Sequence, residues 1–174
     1  MKQIERSFAE LQDTPCWGVK RGQGSFLTFE FGSPRLVIRE PISSHARSRK
    51  VRRMLDRRHV RVTGEWHLWI YCCDWVVYSG TSVVGDSSTR RRVTAAARLL
   101  DGQKLRRVVV SKRGARTRFE FDLGGVLETR PYDRKSEQWM LYDPHGHVLT
   151  FRADRSHKLR SGPAGPSGSP GRSA

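Results

Sequence analysis

Cysteines and long apolar stretches are both scarce in this chain of 174 residues. Only three cysteines occur, and two of them, Cys72 and Cys73, are adjacent. Because this is not the pattern of a disulfide framework, a reducing compartment is favoured. Residues 1–20 lack the basic start and apolar run of a secretory signal, and eighteen consecutive apolar residues occur nowhere. We therefore expect a soluble cytoplasmic protein that does not bind a membrane.

Motifs for catalysis or cofactor binding are also lacking. Gly22-Gln23-Gly24 and Gly124-Gly125 match neither nucleotide-binding fingerprint and are typical of turns. No cysteine lies in a glycine-rich elbow or another activating context. Asp74 is the only carboxylate inside an apolar run and could serve as a perturbed acid, although such a residue more often bonds the backbone of a turn. The sequence thus predicts no cofactor and leaves enzymatic activity uncertain, with a non-enzyme favoured.

The histidines and cysteines do not have the spacing of a metal site. In a continuous strand, His67 and Cys73 would share a face but stand about 20 Å apart, too far to bind one ion. Cys72 would point away from Cys73, to the opposite face. His145 and His147 share a turn, but two ligands are fewer than the four of a closed zinc site. We therefore expect no metal ion.

Acidic residues are few, and this shortage is the clearest bulk property of the chain. Seventeen Asp and Glu residues face 33 Lys and Arg residues, for a formal net charge of +16. Residues 43–61 contain eight Lys or Arg and one Asp, a charge of +7, and residues 88–118 contain eleven and one Asp, a charge of +10. Together these two segments carry the whole excess. Because two basic patches repel each other, an anionic partner such as nucleic acid would relieve the repulsion.

What the chain does have is an aromatic stretch at residues 65–79, EWHLWIYCCDWVVYS, with three of the five tryptophans. It is apolar on both faces, whereas a strand with one face in water would alternate apolar and polar residues. We predict two central strands that meet near Cys72–Asp74 and are covered on both sides. The cover on one face could be a helix, another part of the chain, a ligand or a second protomer, so these residues are also a candidate homodimer contact.

Periodicity predicts a mainly antiparallel α+β fold. Ile4, Phe8 and Leu11 give residues 2–12 one apolar helical stripe. A second helix is predicted at 89–101, capped by Ser87 or Ser88, after a linker at Gly80–Gly85. The predicted strands outside the aromatic stretch are Trp17–Lys20, Phe26–Phe31, Leu36–Arg39, Leu105–Val110, Thr117–Phe121, Val126–Thr129, Gln138–Tyr142 and Val148–Arg152.

Two short patterns recur and suggest an internal duplication. Phe29-Glu30-Phe31 and Phe119-Glu120-Phe121 are each followed by a proline twelve positions after their first residue. Trp66 and Trp139 each begin a Trp-x-Leu-aromatic sequence. We interpret these repeats as two pseudo-repeated halves, each with one short helix preceding about five strands. Ile38 aligns with Glu128 in this scheme, so a bulge or a register change is required.

The duplication predicts the organisation of the chain. A first half at 1–85 carries a basic insertion at 43–61, and a second half occupies 86–158. The proline-to-tryptophan connection is about seventeen residues longer in the first half, nearly the length of the basic insertion. The duplication therefore predicts that the fold does not require those arginines. Residues 159–174 are rich in Gly, Pro and Ser near their end and are expected to form a disordered tail.

The leading functional hypothesis is non-enzymatic binding of DNA or RNA through phosphate contacts that carry little sequence information. The alternative is a protein-binding module without catalytic activity, such as an immunity-like protein or a regulatory partner of an acidic protein. Trp17, Phe26, Trp69, Tyr71 and Tyr78 could stack unpaired bases, although core packing is favoured for most of them. The candidate phosphate-binding residues are Arg49, Lys50, Arg52, Arg53, Arg57, Arg58, Arg90, Arg91, Arg92, Arg106 and Arg107.

Arginines at positions 90–92 are unusual if they begin a helix. The macrodipole gives the start of a helix a partial positive charge, so each cation there is unfavourable by about 0.3 kcal/mol. A bound phosphate would reverse the sign of this effect. Three solvated arginines in a flexible linker are the alternative interpretation.

Overall fold

The computed structural model describes residues 2–43 and 45–161. The fold is mostly antiparallel β-sheet with three short helices, which confirms the predicted α+β class. The helices are α1 (Lys2–Ala9), α2 (Arg49–Leu55) and α3 (Arg90–Leu100). The strands are β1 (Cys16–Arg21), β2 (Leu27–Phe31), β3 (Arg35–Arg39), β4 (His59–Thr63), β5 (Trp66–Ile70), β6 (Asp74–Ser79), β7 (Ser82–Asp86), β8 (Leu105–Val110), β9 (Thr117–Phe121), β10 (Gly125–Arg130), β11 (Glu137–Tyr142), β12 (His147–Arg152) and β13 (His157–Ser161).

Two large sheets carry most of the strands. One has six strands in the order β1-β2-β5-β11-β12-β13, and the other has five in the order β7-β6-β10-β9-β8. In the described part of the chain, strands β3 and β4 pair only with each other, as a separate two-stranded sheet. Both large sheets contain strands from 1–85 and from 86–158, since Leu68 lies opposite Leu141 and Val77 lies opposite Leu127. The duplication itself stays a prediction.

One core joins the two large sheets. The rings of Phe29 on β2 and Phe121 on β9 stack with centroids 6.2 Å apart. The indole N–H of Trp139 donates to Thr117 Oγ1 across the same interface at 3.0 Å. Phe8 of α1 contacts Trp139 edge-on at 5.5 Å, so the helix closes over this cluster. Because alternate residues of β9 are buried, the sequence alternation in that strand marks its inward face.

The aromatic stretch forms two strands that meet at residues 71–73, as predicted, but they belong to different sheets. β5 lies between β2 and β11, and β6 lies between β10 and β7. On the inward faces, Leu68, Ile70, Trp75 and Val77 are fully buried. The other large sheet therefore supplies the cover on one side of each strand. A homodimer through residues 65–79 stays a prediction.

Three local predictions need correction. Gly80–Gly85 is not a linker, because residues 82–86 form β7, which pairs with β6 after a turn at Gly80 (φ +59°). The N-cap of α3 is Thr89, whose hydroxyl accepts the Arg92 N–H, and not Ser87 or Ser88. Helix α1 ends at Ala9, short of residue 12. Strand pairing decides the first of these boundaries and a hydroxyl–amide hydrogen bond decides the second. After Ala9 the chain continues in turns, in which the Leu11 N–H donates to the Phe8 carbonyl oxygen at 3.1 Å.

The predicted disordered tail begins too early. Residues 157–161 form β13 at the edge of the six-stranded sheet, with Leu159 opposite Leu149 of β12. Backbone pairing with β12 orders residues 159–161, although their side chains are exposed. The rest of the predicted tail, 162–174, lies outside the described residues. None of the three helices in the described part of the chain has the length and apolar character needed to cross a membrane.

Candidate nucleic-acid interface

The first basic segment belongs to an arm, residues 35–63, which comprises β3, α2 and β4. The chain leaves the six-stranded sheet after β2 and re-enters it at β5, so β3 and β4 have only each other as strand partners. The Ser48 hydroxyl caps α2 by accepting the Val51 N–H at 3.4 Å. At the other end of α2, the Arg39 guanidinium donates to the carbonyl oxygens of Met54 (2.8 Å) and Leu55 (3.4 Å). Local polar contacts therefore hold α2 on the arm.

Cations cover α2 and the turn that follows it. The helix has no buried residue, so its arginines and lysine all stand in solvent. Arg58 forms an ion pair with Glu40 at 2.8 Å. Within residues 2–43 and 45–161, the other five predicted cations of the arm have no acidic partner. These five are Arg49, Lys50, Arg52, Arg53 and Arg57.

The root of the arm is anchored by a buried carboxylate. Glu30 Oε2 accepts the Gly64 N–H at 3.0 Å and lies 2.8 Å from His67 Nδ1. Arg61 of β4 interacts electrostatically with this carboxylate. Burial lowers the pKa of the Arg61 guanidinium, and the nearby Glu30 charge partly offsets that effect. Because Arg61 is half-buried, it is not part of the exposed basic surface of the arm.

The second basic segment includes α3, which packs against β1 and β7. Arg90, Arg91 and Arg98 line an open groove of about 520 Å³ together with Thr94 and Ala95. The spacing of these five positions places them on one face of the helix. The groove presents cations without any carboxylate among its lining residues.

Arg92 faces elsewhere, because it is bound to the chain's own acid. Its Nε lies 2.6 Å from Asp86 Oδ2. Burial alone would raise the pKa of Asp86, but hydrogen bonds from Ser88 and the Arg92 guanidinium outweigh it, so the pKa is lowered. Asp86 therefore remains a carboxylate at neutral pH and neutralises Arg92.

The remaining predicted cations lie on β8. Arg106 is paired with Asp13. Arg107 is exposed and lines a groove of about 310 Å³ between α1 and β8, beside Ile4 and Phe8. Among the eleven predicted residues, three are thus neutralised by ion pairs and eight are exposed without one in the part of the chain that the structure describes. The eight are Arg49, Lys50, Arg52, Arg53, Arg57, Arg90, Arg91 and Arg107.

Aromatic side chains collect on the outward face of the six-stranded sheet. Trp69 has its ring centroid 6.5 Å from Tyr71 and 5.7 Å from Tyr142, and Phe26 lies 4.5 Å from Tyr71. All four are half-buried. Tyr78 is excluded, because it lies on β6 in the other sheet. Sequence reasoning missed Tyr142, and only the pairing of β5 with β11 brings it beside this cluster.

The remaining candidate chemistry is dispersed. All three cysteines are free, and burial raises the pKa of Cys16 to about 12, so its thiol stays protonated at neutral pH. Asp74 is exposed and accepts the Ser87 hydroxyl at 3.3 Å. No group of three or more His, Cys, Asp or Glu side chains within the described residues is placed to hold a metal ion.

The arm also has an apolar face that the sequence analysis did not single out. Leu36 pairs with Val62 across the ribbon, and Ile38 pairs with Val60. Directly paired residues share a face, as do residues two apart on one strand, so these four side chains form one stripe. The alternation in His59–Thr63 was a usable signal, but only the tertiary structure shows that the stripe is exposed.

Comparison with known proteins identifies no relative: no family model, no curated protein and no solved structure matches the chain.

Proposed function

We propose that the protein binds nucleic acid without catalysis, through phosphate contacts made by α2 and α3. The observation that carries the proposal is that eight of the eleven predicted cations are exposed and form no ion pair within the described residues, five of them on the arm and two on α3. The acids of the chain neutralise only a few arginines, such as Arg118, which binds both Glu120 and Glu128. Other exposed cations, such as Arg98 and Lys112, also form no ion pair within the described residues. Unpaired cations are available to a polyanion.

The spacing of the free cations suits a nucleic-acid backbone. Arg49 and Arg53 are four residues apart on α2, which corresponds to about 6 Å along the helix axis. Arg90 and Arg98 lie eight residues apart, about 12 Å along α3. Phosphates follow one another at about 3.4 Å along the axis for each strand of a duplex. The cations of each helix can therefore contact phosphates that are a few nucleotides apart, on DNA or on RNA.

Two further predictions from the sequence belong to this proposal. We infer that the basic insertion 43–61 was added to one half of a duplicated fold, since the corresponding connection from β10 to β11 is short. We also assign the activity to the cytoplasm, in keeping with the three free cysteines.

Fluorescence anisotropy with labelled single- and double-stranded DNA and RNA, at 50 and 200 mM salt, tests the proposal. We expect micromolar or tighter binding at the lower salt. With five phosphate contacts, affinity for duplex DNA should fall roughly 500-fold at the higher salt. No binding at 50 mM salt would refute the proposal.

A pair of charge-matched variants makes this test specific. Replacing Arg49, Arg52 and Arg53 by Gln removes three free cations, and the slope of log affinity against log salt should shrink by about 2.7. Replacing Arg58, Arg92 and Arg106 by Gln removes the same formal charge from ion-paired positions, and we expect a much smaller effect. Equal losses in the two variants would mean that net charge alone drives binding.

A second candidate function is a protein-binding module for an acidic partner. The observation that favours it is the exposed apolar stripe on the arm, because nucleic-acid phosphates offer nothing to cover it.

A further inference from the structure

The arm concentrates exposed apolar surface. Of the eleven large apolar side chains that are exposed within the described residues, seven lie between positions 36 and 62. Four of them form the stripe: Leu36 is 66% exposed, Ile38 54%, Val60 51% and Val62 49%. Single exposed apolar residues are ordinary, but a contiguous set of this kind marks an interaction surface.

The ribbon that carries the stripe is covered by its own chain on the other face only. Within the described residues, β3 and β4 form a two-stranded sheet with no hydrogen-bonded neighbour in either large sheet. On the face opposite the stripe, Val37 and Arg61 are half-buried and Thr63 is buried. α2 buries none of its residues and so does not cover the stripe. Because a two-stranded ribbon is only marginally stable alone in water, packing on the stripe would stabilise it further.

We propose that the stripe and the cations of α2 together form a docking surface for an acidic protein that presents an apolar ridge. The inference rests on the second candidate function above. Leu36, Ile38, Val60 and Val62 would form the apolar centre of the interface. The basic helix of the same arm would lie at its rim, opposite carboxylates of the partner.

Charge selects this occupant over the two alternatives. A second copy of the chain would bring another +16 overall, and its arm would bring a second basic segment, so like charges would face each other. A nucleic acid would satisfy the cations but leave the stripe in water. An acidic protein with apolar side chains satisfies both features at once.

The test uses a phage-displayed library of random 16-residue peptides, selected on nuclease-treated protein. Enriched peptides should be net acidic and should alternate apolar residues with carboxylates. Synthetic versions should bind the Leu36→Thr/Val62→Thr variant at least tenfold more weakly than the wild type. They should bind the Arg49→Gln/Arg53→Gln variant at least threefold more weakly.

Val83→Thr is the matched control, because Val83 is 50% exposed on β7, away from the arm. It should bind the peptides as the wild type does. All substituted side chains are exposed, so thermal melts should be unchanged. If Leu36→Thr/Val62→Thr fails to fold, Ile38→Thr/Val60→Thr removes the other half of the same stripe.

Several results would overturn the inference. One is enrichment of acidic peptides without apolar residues. Another is that the enriched peptides bind the stripe variants as tightly as they bind the wild type. A third is that selection on the wild type enriches no peptide beyond those enriched on Leu36→Thr/Val62→Thr. A wild-type dimer in sedimentation that the stripe variant dissociates would assign the surface to a second copy. Because no nucleic acid enters the selection, its outcome is independent of the nucleic-acid proposal.

Discussion

Whether an individual arginine is available to bind a partner depends on its contacts in the folded chain, which the amino-acid composition does not show. Arg92 and Arg91 are adjacent and chemically identical, yet Arg92 binds Asp86 while Arg91 lines the open groove on α3. Arg106 and Arg107 differ in the same way, because Arg106 is paired with Asp13, 93 positions away. Counting arginines therefore identifies a basic protein, whereas the ion pairs decide which arginines remain available.

Gly85 is a position at which the fold leaves no room for a side chain. A Cβ placed on this residue of β7 would collide with the carbonyl oxygen of Arg92 and would lie 2.8 Å from the Cβ of Ala96. Both neighbours belong to α3 and cannot yield as the end of a flexible side chain would. The absence of a side chain at Gly85 thus allows the basic helix to pack against the sheet.

We expect Gly85→Ala to reduce the free energy of unfolding by about 2–3 kcal/mol, because overpacking displaces backbone. Chemical denaturation followed by circular dichroism measures this change. Gly80→Ala is the control: Gly80 has a φ of +59° and nothing within 4 Å of an added Cβ, so only backbone strain of about 1 kcal/mol is expected. Equal losses at the two positions would contradict the close approach of α3.

At the scale of elements, the arm is separable from the structure that bears it. Among the described residues between Phe31 and Trp66, no apolar side chain belongs to the buried core. Val37 lies directly opposite Arg61 in the ribbon, so a two-residue turn can join them. Retaining Arg61 keeps its charge beside Glu30.

Replacing residues 38–60 by Asn-Gly should therefore leave the two large sheets intact. We expect a melting temperature within about 4 °C of the wild type, corresponding to roughly 1 kcal/mol. Binding to nucleic acid and to acidic peptides should weaken, since α2 and half of the stripe are removed. Thermal circular dichroism and anisotropy provide the two measurements. Loss of cooperative unfolding would show that the arm is part of the core structure.

At the scale of the whole molecule, neither residues 1–85 nor residues 86–158 form a complete large sheet by themselves. β5 hydrogen-bonds to β11 in one sheet, and β6 hydrogen-bonds to β10 in the other. One continuous core contains Phe29 from the first stretch and Phe121 from the second. Separation of the two stretches would expose both central strand edges and divide that core.

Fragments 1–85 and 86–161, expressed separately, should therefore lack a cooperative thermal transition. Mixed or co-expressed, they should restore the near-ultraviolet circular dichroism of the intact chain, because tryptophans from both fragments then pack together again. A cooperative transition in either isolated fragment would contradict this account and would indicate an autonomous half.

The sequence alone determined the class of fold, the two aromatic strands and most strand positions, because alternating burial repeats every two residues along β-strands such as Thr117–Phe121. It also located the two basic segments, since charge is a local property. Only tertiary structure decided that residues 82–86 and 157–161 are strands, as their order comes from pairing with β6 and β12. Likewise, tertiary structure alone left Leu36, Ile38, Val60 and Val62 in solvent, because exposure depends on what packs above a strand and not on the residues within it.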